Sequence, residues 1–236
     1  MGSTRLPGKV LRRLAGDTVL GHVVRRVRLA RRLDGICIAT TESPSDEPIV
    51  VEAARLGVGC WRGSEQDVLA RYHGAAKNCG ASVIVRITSD CPLFDGVLLD
   101  QMIGAFCKLD EGVALKWDCM SNVLQRTYPR GLDAEIFTLN LLDRAHVEAK
   151  QPHEREHVTP YFYQHPELFR LQSFAGPEDW SAHRWTLDTP EDWQFIEAVY
   201  STLGADCTTA DVLNLLKARP ELLKLNESVD QKKLVQ

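Results

Sequence analysis

Apolar residues recur along this chain with two different periods, and the two alternate. Over 18–30, Leu20, Val23, Val24 and Val27 fall on one stripe at helical spacing, which predicts an amphipathic helix. Gly35-Ile36-Cys37-Ile38-Ala39-Thr40 predicts a short buried strand. A helix follows over 45–56 with Ser45 as its N-cap, then a short strand over 58–61 and a helix over 65–79. Ser82-Val83-Ile84-Val85-Arg86-Ile87 is the strongest strand signal, a continuous apolar run typical of parallel sheets covered on both faces. A helix over 93–109, a strand over 134–137 and a helix over 139–150 complete the alternation.

Repeated βα units predict an α/β fold of three layers around a mostly parallel sheet, with ligands at the carboxyl ends of the strands. The pattern runs as one domain over 1–225, in which 128–166 is a candidate small lobe or arm. The polar, aperiodic stretch 226–236 is expected to be a loose tail.

Composition narrows the function classes. With 236 residues, 44% of them hydrophobic, the chain can bury a sizeable core. A net charge of −4 gives no sign of a nucleic-acid or membrane partner, and no apolar run reaches membrane-spanning length. The N-terminal stretch is locally basic: Arg5, Lys9, Arg12, Arg13, Arg25, Arg26, Arg28, Arg31 and Arg32 face only Asp17 and Asp34. Such a run is a solvated helix face, or its first members attract phosphate. Seven cysteines, an odd number with no CxxC pair, predict reduced and mostly buried thiols in a cytoplasmic protein, without a disulfide framework or zinc site. Met1 leads straight into a polar loop, so no signal peptide is expected.

Six stretches could carry chemistry. The loop Gly2-Ser3-Thr4-Arg5-Leu6-Pro7-Gly8-Lys9 offers backbone N–H groups, hydroxyls and two cations to one anion, which suits a triphosphate. Asp90 directly follows the strongest strand. There it is either a Mg²⁺ ligand beside phosphates or the N-cap of the next helix. In Arg184-Trp185-Thr186-Leu187-Asp188-Thr189-Pro190-Glu191-Asp192, residues 184–187 look like a strand. Thr189 and Asp192 form a capping box around Pro190, which leaves Asp188 for a second metal ligand or a turn. Arg62-Gly63-Ser64 sits between a strand and a helix and faces the same crevice, while Asp67 and Arg71 are spaced for an i, i+4 ion pair. The charges of Tyr128-Pro129-Arg130-Gly131-Leu132-Asp133-Ala134-Glu135 could contact a polar substrate, or Glu135 could be the exposed position of an edge strand. His153-Glu154-Arg155-Glu156-His157 matches the zinc-protease pattern literally. Pro152 and Pro160 confine it to a short charged helix with no third ligand, so a surface helix is the better reading.

Taken in order, these blocks resemble the cytidylyltransferases that activate acidic sugars, specifically the SpsF-like branch. That branch is related to the enzymes activating acylneuraminate and 3-deoxy-manno-octulosonate. The resemblance runs through the N-terminal loop, residues 62–72, Arg86-Ile87-Thr88-Ser89-Asp90-Cys91-Pro92-Leu93, residues 131–135, residues 155–160 and residues 184–192. It implies a Rossmann-like fold of the nucleotide-diphospho-sugar transferase type. It also implies transfer of CMP from CTP to a sugar acid with release of pyrophosphate, in surface polysaccharide biosynthesis. By that resemblance Arg5 and Lys9 neutralise the triphosphate, and Gly2, Ser3, Thr4, Arg62, Ser64 and Arg86 bind the nucleotide. Asp67, Arg71, Asp133 and Glu135 contact the substrate, Asp90 and Asp188 hold Mg²⁺, and the segment 128–166 suits a homodimer arm. Relatives place an apolar strand ending in arginine before the loop. This sequence begins at the loop, so the expectation is a sheet lacking its first strand, with a start codon upstream or a natural truncation as the cause. A non-catalytic nucleotide- or partner-binding relative is the alternative.

Overall fold

Strands and helices alternate as the periodicity predicts, and the computed structural model describes residues 5–110 and 114–231. A two-residue hairpin, β1 (Arg13–Leu14) and β2 (Asp17–Thr18), leads into α1 (Val19–Val27). The Thr18 hydroxyl caps α1 by accepting the Gly21 N–H. A parallel βαβ unit follows: β3 (Cys37–Thr41), α2 (Glu47–Leu56) and β4 (Gly59–Gly63). Then come α3 (Val68–Cys79), β5 (Val83–Arg86), α4 (Gly96–Phe106), the short pair β6 (Leu109–Asp110) and β7 (Ala114–Leu115), and β8 (Cys119–Ser121). The second half holds β9 (Glu135–Thr138), α5 (Leu139–Glu148), α6 (Pro152–His157), α7 (Pro160–Gln164), β10 (Leu171–Ser173), α8 (Pro190–Leu203) and α9 (Thr209–Ala218).

Helix starts depart from the sequence reading wherever a cap wins. Ser43, not Ser45, begins the second helical segment, because residues 44–46 form a 3₁₀ turn before α2. The Asp67 carboxylate accepts the Ala70 N–H and sets the start of α3 at Val68. Asp95 accepts from Val97 and Leu98 and starts α4 at Gly96, so the N-cap role considered for Asp90 belongs to Asp95. Residues 184–187 make no strand, only an isolated bridge between Arg130 and Arg184.

The larger sheet has the order β10-β8-β9-β5. β10 is parallel to β8, and β9 is antiparallel to both β8 and β5. β5, β8 and β10 therefore share one direction, and β9 alone is reversed. The sheet is thus mixed in its pairing, because β9 inserts between two strands joined by the α4 crossover. The sheet has cover on both faces. Along β9, Ile136 belongs to a cluster with Phe94, Met102, Phe106, Trp185 and Phe195, under α4 and α8. The next residue, Phe137, belongs to a second cluster with Leu69, Leu142 and Phe162, under α3, α5 and α7. Successive residues of a strand point to opposite faces, so these are the two outer layers of the three-layer sandwich. The segment 128–166, a candidate arm on its sequence, supplies β9 to the sheet and packs α5 and α6 against α3. The stretch from Asn226 is anchored: Asn226 is buried and donates to the Arg184 carbonyl and the Asp192 carboxylate. No helix among the described residues is long and apolar enough to cross a membrane.

Candidate active site

The loop from Arg5 is pinned at three points. Leu6 is buried in the main core, Gly8 adopts a left-handed conformation (φ 66°) that turns the chain, and the Arg12 guanidinium lies 4.2 Å from the Trp193 ring on α8. Lys9 opens the next 3₁₀ turn and projects inward. Its ammonium donates to Asp90 Oδ2 at 2.7 Å and to Asp188 Oδ1 at 2.7 Å. The Arg5 guanidinium stands 3.2 Å from Asp188 Oδ2. Four residues far apart in sequence thus meet beyond the carboxyl end of β5. The backbone holds them there: the Leu187 N–H donates to the Asp90 carbonyl at 2.8 Å, which clips the two carboxylate loops together.

Electrostatics follow from that packing. Burial would raise the Asp188 carboxyl, but Lys9, Arg184 and Arg5 outweigh it and hold it below its ordinary range. Burial would equally lower the Lys9 ammonium, and Asp90 and Asp188 reverse this and raise it. Two carboxylates already accommodate one compact cation between them, and their hard oxygens suit Mg²⁺. Among the described residues no group of three or more His, Cys, Asp or Glu side chains converges on a metal position. Magnesium commonly takes only one or two protein carboxylates and fills its shell with water and substrate oxygens, so the pair meets its needs.

The other sequence candidates lie on or beside β4, α3, β5 and β9, and most have internal partners. Arg62 donates to the carbonyls of Thr41 and Ser43 and to Glu47, which fixes the turn beyond β3. Ser64 accepts the Asp67 N–H on its hydroxyl, and its carbonyl accepts from Arg71 at 2.6 Å. An open hollow of about 500 Å³ lies beside them, lined by Glu42, Ser43, Gly63, Ser64, Glu65 and Gln66. The i, i+4 pair expected between Asp67 and Arg71 does not form. Asp67 pairs with Arg155 from α6 instead, and Arg71 keeps a buried Nε without a hydrogen-bond partner. Arg86 pairs with Glu135 across β5 and β9 at 2.5 Å, with its guanidinium 5.8 Å from the Tyr72 ring. Glu135 is therefore buried, 4% exposed, and not the open edge position its alternation allowed. Asp133 is gripped by both terminal nitrogens of Arg126 at 2.6 and 2.8 Å. Gly2, Ser3 and Thr4 lie outside the described residues.

The protease pattern dissolves in the structure. Glu154 completes a capping box by accepting the Gln151 N–H, and His153 meets Gln164 at 3.0 Å. All seven cysteines are free; Cys91, Cys119 and Cys207 are buried, whereas Cys79 and Cys107 are exposed, so burial is less general than their apolar neighbours suggest.

Sequence reasoning missed Arg184, which it placed in a strand, along with Arg126, Arg155 and Asn226. Arg184 reaches Asp188 at i+4 and Asp192 at i+8, a spacing visible in the sequence. The other partners are distant in sequence and left no local mark.

Known proteins share this sequence and fold. The cytidylyltransferase family profile matches residues 1–228. The spore coat polysaccharide biosynthesis protein SpsF of Bacillus subtilis is 36% identical over 230 residues, covering 94% of this chain and 92% of that protein. The solved structure of a cytidylyltransferase from Leptospira borgpetersenii superposes with a TM-score of 0.89 at 34% identity, covering 99% of this chain and 95% of that one. A CMP:2-keto-3-deoxy-manno-octonic acid synthetase solved in complex with CTP shares the fold, with a TM-score of 0.59 at 15% identity, 85% of this chain and 95% of that one. With a family profile spanning nearly its whole length and relatives aligned end to end, the chain belongs to the cytidylyltransferase family.

Proposed function

We propose that this protein transfers CMP from CTP to an acidic sugar and releases pyrophosphate, for surface polysaccharide synthesis in the cytoplasm. The observation that carries the reading is the Lys9 ammonium set between Asp90 and Asp188, with Arg5 beside it, at the carboxyl end of the sheet. The sugar hydroxyl oxygen would form the new bond to the α-phosphorus as the bond to the β-phosphate bridging oxygen breaks. The hydroxyl proton goes to solvent and pyrophosphate leaves. Such a displacement depends mainly on alignment and charge neutralisation. Arg5 and Lys9 are placed to take the triphosphate charge. Asp90 and Asp188 would hold Mg²⁺, which when bound supplies further neutralisation of phosphate charge. The hollow at Gly63 and Ser64 is a place for the base and ribose, held in shape by Arg62. Asp67, Arg71, Asp133 and Glu135 belong to the acceptor side of the cleft in this reading, and Arg86 to its nucleotide side. Support for the substrates comes from the CTP-bound synthetase, and support for the polysaccharide role from SpsF. Self-association through 128–166 belongs to the same proposal, and Val147, 67% exposed, is its apolar surface there.

Pyrophosphate release with CTP, Mg²⁺ and a panel of sugar acids tests the reading. Turnover with at least one acid and with CTP over the other nucleoside triphosphates is expected; no turnover with any pairing contradicts it. In the same assay Lys9→Met lowers kcat/KM by about 10²-fold, the size of effect seen when one preorganised charge donor is removed. A variant within twofold of wild type removes Lys9 from the triphosphate site.

A further inference from the structure

The buried side of Asp188 is built as carefully as its open side. Asp188 presents Oδ1 to Lys9, and its Oδ2, which also faces Arg5 at 3.2 Å, is held from the buried side by Arg184 Nη2 at 2.9 Å. Arg184 is itself fixed. Its Nε donates to Asp192 Oδ1 at 2.8 Å and its Nη2 to Asp192 Oδ2 at 2.9 Å, with both side chains buried. Asp192 also accepts the Asp188 backbone N–H at 2.9 Å, so side chain and main chain of Asp188 are set by one pair. The chain's far end completes the arrangement. The Asn226 amide donates to Asp192 Oδ1 at 3.0 Å and to the Arg184 carbonyl at 2.9 Å, and the Gln231 side chain accepts from Arg184 Nη1 at 2.6 Å.

We propose that Arg184 is a positioning residue for the cation-binding carboxylate of Asp188, and that the segment from Asn226 to Gln231 is the strap that locks it. This rests on the reading of Asp90 and Asp188 as the metal pair. A carboxylate that must offer one oxygen to a cation cannot turn freely, and groups behind a metal ligand commonly set affinity by 10–100-fold. A planar fork spans two carboxylates in fixed directions, whereas an ammonium is a point charge and cannot. A segment whose composition suggests a loose tail thus acts on the centre without touching substrate.

The test is Mn²⁺ binding by the full chain with CTP present, read by the paramagnetic signal of free Mn²⁺, beside kcat and KM for CTP. Wild type, Arg184→Lys and Asn226→Ala are compared at a temperature where each is folded. Arg184→Lys is expected to weaken Mn²⁺ by about 10-fold or more and to lower kcat, with KM for CTP little changed. Asn226→Ala is expected to move both in the same direction by a smaller factor. Should Arg184→Lys not fold, Asn226→Ala decides. Mn²⁺ affinity within twofold of wild type in a folded variant overturns the assignment, since a merely structural role would change the melting temperature alone. No Mn²⁺ binding by wild type overturns the metal reading itself, and the strap with it.

Discussion

Asp192→Ala is expected to destabilise the fold by about 3–5 kcal/mol, the usual cost of removing one partner from a buried ion pair. Asp192 is completely buried and accepts from the Arg184 guanidinium, the Asn226 amide and the backbone N–H groups of Asp188 and Thr189. Its loss leaves the Arg184 charge in the interior with only Asp188 near it. It also removes the capping-box acid of α8, worth about 1 kcal/mol in other helices. For a chain of this length that corresponds to a fall in melting temperature of roughly 6–20 °C. Asp192→Asn, which keeps the shape and one acceptor, should fall between this and wild type. A melting temperature within about 2 °C of wild type for Asp192→Ala would show that the network carries little of the stability.

Asp90→Asn is expected to lower pyrophosphate release by about 10³-fold or more while leaving the melting temperature nearly unchanged. The arithmetic is simple: a bound metal contributes several kcal/mol of charge stabilisation, and each 1.36 kcal/mol is tenfold in rate. Asp90 is not the cap of α4, since Asp95 has that role, and its carbonyl, not its carboxylate, holds Leu187. Removing its charge therefore takes little from the fold and much from the site. The same substitution leaves Lys9 with one carboxylate where it had two. Full activity in Asp90→Asn would remove it from the metal pair.

Features that rest on neighbours in sequence were legible. The Thr189 and Asp192 capping box around Pro190 is present as its spacing implies, and the βα alternation gives the three layers. The placement of Asp90 after the strongest strand and of Asp188 before a capped helix was enough to bring both to one cleft. What escaped depends on register and on contacts between distant segments. Glu135 is buried because β9 enters antiparallel with Glu135 opposite Arg86, and no alternation within residues 134–137 encodes that partner. Asp67 turns from Arg71 to Arg155, 88 residues away, because its carboxylate already caps α3 and α6 docks beside it. Arg184 looked like a strand residue since Trp185 and Leu187 are alternate apolar positions; both are fully buried, but one bridge and a buried guanidinium hold that segment in place of a ladder.

The central claim is that the loop from Arg5 and the pair Asp90 and Asp188 form one site for CTP and a divalent cation. A thermal-shift titration with nucleoside triphosphates, with and without Mg²⁺, tests it most directly. At a hundredfold excess over the dissociation constant, CTP with Mg²⁺ should stabilise the chain by about 2.7 kcal/mol. The shift should exceed that of other triphosphates and shrink in Asp188→Asn. No shift with CTP, or one that ignores both Mg²⁺ and Asp188→Asn, would contradict the account.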